Sequence, residues 1–415
     1  MIDNDIQNKD SKLHIDPRTV LWKRVMDMND RSLRNIITGL GGKTGGFLRE
    51  TGFNITAASE VMAILCLAED FEDLKTRLGN IYIGDTFDGK PVFARDLHAE
   101  GAMAVLLKDA IKPNLAQTLE GNPAIIHGGP FANIAQGTNS VLATKMALSL
   151  ADYTVTEAGF GADLGAEKFF NIKCRSAKIS PQAVVIVATV RALKYHGGVS
   201  LKNLEEENIK ALEEGVQNLD KHLDTIEHFG IPAVVAINHF STDTEAEINW
   251  LLDYCKQKGV RVAVSDGWAK GSEGTEELAQ EVVAAVESCK QNFKPIYEVS
   301  ESIEDKILKV SKAVYGAQQI ELSKRAKSQL KRFTQLGFDQ LPVCIAKTQK
   351  SLSDDDTLIG RPKDFSIHIR EFEVASGAGF IIPIAGNMLR MPGLPSNPAA
   401  NGIDIDQNGE ISGLS

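Results

Sequence analysis

The chain has 415 residues, of which 43% are hydrophobic and 24% charged, a globular composition long enough for two or three domains. Its formal net charge of −10 leaves no basic surplus to coat a nucleic acid, though a local basic pocket for a phosphorylated intermediate is compatible with it. No apolar run approaches the ~18 residues that span a bilayer. Met1 to Asp16 is polar and acidic, without the apolar centre of a signal peptide, so a cytoplasmic protein with no membrane partner is expected.

Residues 1–115 read as a mixed α/β domain, with helical patterns at 57–68 and 99–111 and a short strand near 80–83. Within it, Gly41-Gly42-Lys43-Thr44 looks like the end of a phosphate loop. That loop needs a further glycine where Ile37 stands and a buried strand before it, so a helix end followed by a turn is expected.

Residues 116–290 carry short β-branched runs at 124–126, 153–156, 183–190, 231–237 and 260–264, bounded by Gly, Pro or Asn. Between them lie helical patterns. The clearest runs from Leu201 through Leu204, Ile209, Leu212, Val216, Leu219, Leu223 and Ile226 to Phe229, mostly at steps of three and four. Strands alternating with helices predict an α/β fold, a doubly wound and mostly parallel sheet, because parallel neighbours need crossovers. Such sheets bind ligands at the carboxyl ends of their strands.

Residues 291–415 read as a C-terminal α/β domain, with a charged helical segment at 302–331 and strand-like runs at 341–345 and 379–384. In the tail, Asp404, Asp406, Asn408 and Gly409 follow the opening of a calcium loop. Its twelfth position, normally a bidentate Glu, is Ser415, so a turn between short strands is expected and no metal site. Cys66, Cys174, Cys255, Cys289 and Cys344 are scattered and odd in number, which suits reduced, buried thiols better than a zinc site or a disulfide framework.

Chemistry is expected in the loops after the apolar runs. Gly159-Phe160-Gly161-Ala162-Asp163-Leu164-Gly165 lies between an expected strand and a helix, where free amides and a helix dipole suit an anion; glycines there also simply allow a tight turn. Its spacing is not the dinucleotide fingerprint. His127-Gly128-Gly129-Pro130-Phe131-Ala132-Asn133 ends another run, and His127 reads either as a satisfied structural group or as a site residue. Asn238-His239-Phe240 and Asp266-Gly267-Trp268-Ala269-Lys270-Gly271 end the last two runs. Their aromatics either stack on a flat heterocycle or cover the core.

Together these loops resemble one family. The run Thr156-Glu157-Ala158-Gly159-Phe160-Gly161-Ala162-Asp163-Leu164-Gly165-Ala166-Glu167-Lys168-Phe169 is similar to the signature of formate–tetrahydrofolate ligases, as is His127–Asn133 with its continuation Ile134-Ala135-Gln136-Gly137-Thr138-Asn139-Ser140. Further matches are Trp22-Lys23-Arg24-Val25-Met26-Asp27-Met28-Asn29-Asp30-Arg31, Ala346-Lys347-Thr348-Gln349 and Met391-Pro392-Gly393-Leu394-Pro395, so the resemblance spans the chain.

The resemblance implies a phosphate-loop NTPase-like core and an ATP-driven ligation of formate to tetrahydrofolate in one-carbon metabolism. Formate attacks the γ-phosphate to give formyl phosphate, and the folate N10 then attacks the formyl carbon. It implies that Phe240 and Trp268 sandwich the folate ring, that Phe160 lines the same pocket, and that the Gly161 amide holds formyl phosphate. It further suggests Asn238 as a reader of adenine and places His127, a catalytic candidate, in a motif near the cleft. ATP with Mg²⁺, a possible monovalent cation and a homo-oligomer, the family being tetrameric, are implied as well. Gln136 and Thr138 depart from the His and Cys of many relatives. Met1 aligns with an internal family position, so the resemblance implies that the phosphate loop lies in an amino-terminal segment missing here, with weak or no activity for this chain alone. A non-enzymatic folate-binding or subunit-contact remnant, and a nucleotide-dependent switch protein, are the competing readings.

Overall fold

The computed structural model describes residues 1–8, 10–290 and 292–414. Ser415, the last position of the calcium-loop reading, lies outside the described residues.

Val, Ile and Ala dominate three runs that pair as a parallel sheet: Val184–Ala188 (β1), Ala233–Asn238 (β2) and Arg261–Ser265 (β3). β2 is central, with Val235 opposite Ile186 on one side and Val262 on the other. A central parallel strand is covered on both faces and so reads as a continuous apolar run rather than an alternating one. Val234, Val235, Ala236 and Ile237 are accordingly all buried.

The crossovers follow from helical periodicity. Asn208 caps Ile209–His228 (α1) by accepting the Ala211 N–H at 2.9 Å. The helix lays Leu212, Val216, Leu219 and Ile226 against Phe170, Leu193, Val235 and Ile237. Each such buried side chain contributes ~1.5–3 kcal/mol relative to exposure. The next crossover, Glu245–Gln257 (α2), starts at Thr244 with a reciprocal Thr244/Glu247 cap. Glu247 is also fully buried against Lys194, 2.8 Å away.

Two other cores surround this unit. One joins residues between 58 and 178 to Cys344, Ala346 and the strand Phe380–Ala385 (β4). The other joins Tyr82 to residues between 297 and 385. The architecture is mixed α/β with small parallel and antiparallel sheets.

Several expectations are corrected. The run at 124–126 becomes the strand Pro123–Ile126, but it pairs antiparallel with Asn114–Gln117 in an exposed hairpin outside the parallel sheet. The run at 153–156 forms no strand ladder, and a single bridge joins Ala158 to Thr138. The parallel sheet therefore has three strands among the described residues. The segment at 302–331 is broken by a strand, Gln319–Leu322, because Gly316 in the left-handed conformation ends the first helix. The run at 341–345 contributes bridges from Val343 and Ala346 to β4 rather than a strand. Gly42–Thr44 is a short turn inside an antiparallel pair, Ile36–Thr38 with Arg49–Thr51.

Candidate functional site

β2 and β3 are parallel neighbours, so their carboxyl ends lie side by side. The His239 N–H donates to the Ser265 carbonyl at 3.0 Å, which extends the pairing one residue past β2. Beyond that point Asp243 fixes a turn: its carboxylate accepts the Phe240 N–H and its own N–H returns to the Phe240 carbonyl, both at 2.9 Å. On the adjoining loop Asp266 meets Lys270 at 2.8 Å and His239 at 3.4 Å. The hydrogen bond from Lys270 holds the Asp266 carboxyl below its ordinary range, against a small opposing effect of burial and with help from His239.

Two rings project from these tied loops. Trp268 is 95% exposed and Phe240 39% exposed. Asn238, at the last position of β2, is half-buried. From the helix after β1, the Arg191 guanidinium stands over the Phe240 ring, 5.9 Å from its centroid. The exposed hairpin reaches the same loop through Glu120, which accepts hydrogen bonds from Ser272 N–H at 2.9 Å and its hydroxyl at 3.0 Å. Asn238, Phe240 and Trp268 thus share one edge of the sheet.

The glycine loop is built differently. Gly159 N–H donates to Gly137 O at 3.0 Å, which locks the 127–140 and 156–169 motifs into one body. Buried Lys168 and Lys173 reinforce the join through the carbonyls of Ala132 (2.9 Å) and Asn139 (2.6 Å). Phe160 adopts φ of 63° and is 55% exposed. Left-handed backbone in a non-glycine residue costs ~1–2 kcal/mol, strain of the kind that collects at ligand loops. The Gly161 carbonyl accepts from the N–H of Leu164 (3.1 Å) and Gly165 (3.0 Å), turning the chain into a π-helical segment, Ala162–Ala166. The N–H groups of Phe160 and Gly161 have no acceptor among the described residues. Gly165 must be glycine, since a Cβ there would lie 1.9 Å from the Gly159 carbonyl oxygen.

Beneath the loop sits a sealed charged group. Asp163 pairs with Lys347 at 2.7 Å, with almost no exposure of either side chain. Burial pushes the Asp163 carboxyl up, but Lys347, His222 and Lys168 outweigh it and hold the acid below its ordinary range. Neighbouring Glu167 has one oxygen bonded by Asn171 at 2.7 Å and the other sealed with no hydrogen-bond partner among the described residues. Burial raises its carboxyl to about 7.

His127 stands apart from this chemistry. Its Nδ1 meets the Ser140 hydroxyl at 2.6 Å and its Nε2 the Ala110 carbonyl at 2.7 Å. A carbonyl only accepts, so Nε2 carries the proton and Nδ1 accepts from Ser140. Both ring nitrogens are engaged by the scaffold, through Ser140 and Ala110.

No ring contact joins Phe160 to Phe240 or Trp268 among the described residues. The Ala158, Ala162 and Ala166 side chains instead connect the glycine loop to the sheet through its core. A cavity of about 700 Å³ lies elsewhere, lined by Lys221, Asp224, His228, Lys312, Arg361 and Lys363. Sequence reasoning missed Arg191 and His222, which belong to no motif; Arg191 follows the run at 183–190, and His222 sits on the helix whose apolar stripe drew the attention. Lys347 was quoted within a motif but given no task.

The fold and these loops define an α/β protein with exposed aromatic side chains at the carboxyl edge of a parallel sheet and on a glycine loop packed against it. The formate–tetrahydrofolate ligase family model matches residues 1–415, and the chain belongs to that family. The family's reaction is the ATP-dependent ligation of formate to tetrahydrofolate in one-carbon metabolism. Among the described residues no helix is long and apolar enough to cross a membrane.

Proposed function

We propose that this chain binds tetrahydrofolate between Phe240 and Trp268 and receives formyl phosphate at the Phe160–Gly161 loop, for formyl transfer to the folate nitrogen. The observation that carries the reading is the alignment of two ring-bearing loops at one edge of adjacent strands, tied by His239 N–H to Ser265 O. An indole left 95% exposed presents a flat apolar face to a ligand ring. Each ring stack adds ~0.5–1.5 kcal/mol beyond the area it buries. Arg191, over Phe240, holds that ring and adds positive charge beside it.

At the glycine loop, the two open N–H groups suit phosphate oxygens. In the transfer, the amine attacks the formyl carbon, the bond from that carbon to the phosphate oxygen breaks, and phosphate departs with the electron pair and the amine proton. The chain's own contribution is to orient the two reactants and to meet the phosphate charge.

The nucleotide part of the reading includes Asn238 as an adenine contact at the end of β2. It also includes a larger doubly wound sheet of the phosphate-loop type: β1 is an open edge whose Val185 and Val187 are exposed, so another parallel strand can add to it. No group of three or more His, Cys, Asp or Glu side chains among the described residues is arranged to hold a metal ion.

Tryptophan fluorescence tests the folate site. Trp250 is stacked on Tyr254 at 5.3 Å and Trp22 is packed against a core, so exposed Trp268 is the indole a pterin can reach. Titration with tetrahydrofolate should quench the wild type saturably, and Trp268→Ala should lose most of that signal. An equal response in Trp268→Ala would remove this pocket.

A further inference from the structure

His222 lies on α1 and turns toward the glycine loop. A Cβ built on Gly161 would stand 3.3 Å from His222 Cε1 and 3.7 Å from Nε2, so the Cε1–Nε2 edge of the imidazole borders the Gly161 backbone. The opposite nitrogen, Nδ1, is sealed from solvent and has no hydrogen-bond partner among the described residues. A buried N–H left unpaired costs more than a buried lone pair left unpaired, because the acceptor side is more readily tolerated. The stable neutral form therefore carries its proton on Nε2, the nitrogen nearer the loop.

The surroundings favour that neutral form. Burial pulls the imidazole below its ordinary range. Asp163 opposes the fall, while Lys347 and Lys221 add to it. His196, on the neighbouring helix, is itself held down by burial and by His222, and its Nδ1 accepts the Gly360 N–H at 3.0 Å. Asp163 is committed to Lys347, so it does not draw the His222 proton away.

We propose that His222 is an oxyanion donor of the acyl-phosphate site, its Nε2–H joining the open N–H groups of Phe160 and Gly161 in binding a phosphoryl oxygen. The inference rests on the reading of the glycine loop as the formyl phosphate site. A neutral imidazole donor meets developing charge without releasing a proton, as preorganised donors do. During transfer the amine nitrogen forms its bond to the formyl carbon and phosphate leaves with the electron pair. The amine proton goes to the departing phosphate, and His222 keeps its own.

The test uses acetyl phosphate, an acyl phosphate with the same head group, and the intact chain. With only eight histidines, ring carbon Cε1 signals can be resolved by isotope labelling, and His222→Gln identifies the His222 signal by its loss. Glycine amide labelling follows Gly161 in parallel. Saturable movement of both signals is expected. Acetyl phosphate affinity should fall about tenfold or more in His222→Leu and stay within about threefold in His222→Gln, whose amide N–H replaces Nε2–H. A moving Gly161 amide with a still His222 signal would overturn the inference and leave the glycine-loop reading standing. If neither signal moves, the glycine-loop reading fails and takes the inference with it. Wild-type affinity in a folded His222→Leu would also overturn it; if that variant does not fold, the labelled wild type decides.

Discussion

Lys347→Met is the most informative single change. The ammonium sits 2.7 Å from Asp163 Oδ2 and donates to the carbonyls of Thr348, at 3.0 Å, and Ser351, with its side chain fully sealed. Methionine fills a similar volume but leaves the Asp163 carboxylate buried without its main partner. Removing one member of a buried pair costs ~3–5 kcal/mol, mostly as the penalty of the orphaned charge. Set against the ~5–15 kcal/mol that holds a domain together, this is a large fraction. Urea and thermal melts followed by circular dichroism should show it, with a midpoint lowered by roughly 5–10 °C. If orphaned charge is the cause, adding Asp163→Asn to Lys347→Met should recover part of the loss, a coupling that a double-mutant cycle isolates. The pH dependence follows in sign. Asp163 is held below its ordinary range, so its contribution is full above the unfolded value of ~3.9 and is lost as pH falls through the folded value. Lys347→Met within 1 kcal/mol of wild type, or no recovery from Asp163→Asn, would refute the reasoning.

Gly161→Ala would place its Cβ 2.6 Å from Asp163 Oδ1, part of a buried carboxylate that Lys347 anchors through Oδ2, so the loop must shift. Overpacking of this kind costs ~1–3 kcal/mol, and acetyl phosphate binding should fall with it in a calorimetric titration; unchanged stability and binding would count against the packing described. For Glu167, burial raises the folded carboxyl to about 7, so its protonated form favours the fold. That contribution is full below the unfolded value of ~4.3 and is lost as pH rises through about 7. Glu167→Gln should flatten this part of the stability–pH curve and match or exceed wild type at pH ~8; a variant that keeps the wild-type slope would disprove the assignment.

The parallel strands were legible because β-branched runs between helical stripes carry their own signature. The runs at 183–190, 231–237 and 260–264 became β1, β2 and β3. Position along the strand then told where Phe240 and Trp268 would emerge, since parallel neighbours finish at the same edge. The runs at 124–126 and 153–156 were misread for one reason: short apolar runs do not say which partner they pair with. Pro123–Ile126 found Asn114–Gln117 through a turn whose Thr118 carbonyl accepts the Gly121 N–H at 2.9 Å. The chain before the glycine loop was held by hydrogen bonds to the 127–140 motif instead of a ladder. His127, Lys347 and His222 show the limit most clearly. Whether a histidine or lysine is structural or reactive depends on which atoms surround its nitrogens, and the telling ones are distant in sequence: Ser140 and Ala110 for His127, Asp163 for Lys347 beside its local bonds to Thr348 and Ser351, and the bordering Gly161 backbone for His222.

The central claim is that one edge of the sheet and one glycine loop together carry formyl transfer. Chemically prepared formyl phosphate and tetrahydrofolate, mixed with the protein and followed by absorbance of the formylated folate, test it most directly. The account predicts a protein-dependent rate that saturates in tetrahydrofolate, with Phe240→Ala combined with Trp268→Ala losing at least tenfold in kcat/KM for the folate, about 1.4 kcal/mol. A rate equal to that without protein, or a double variant as efficient as wild type, would contradict it.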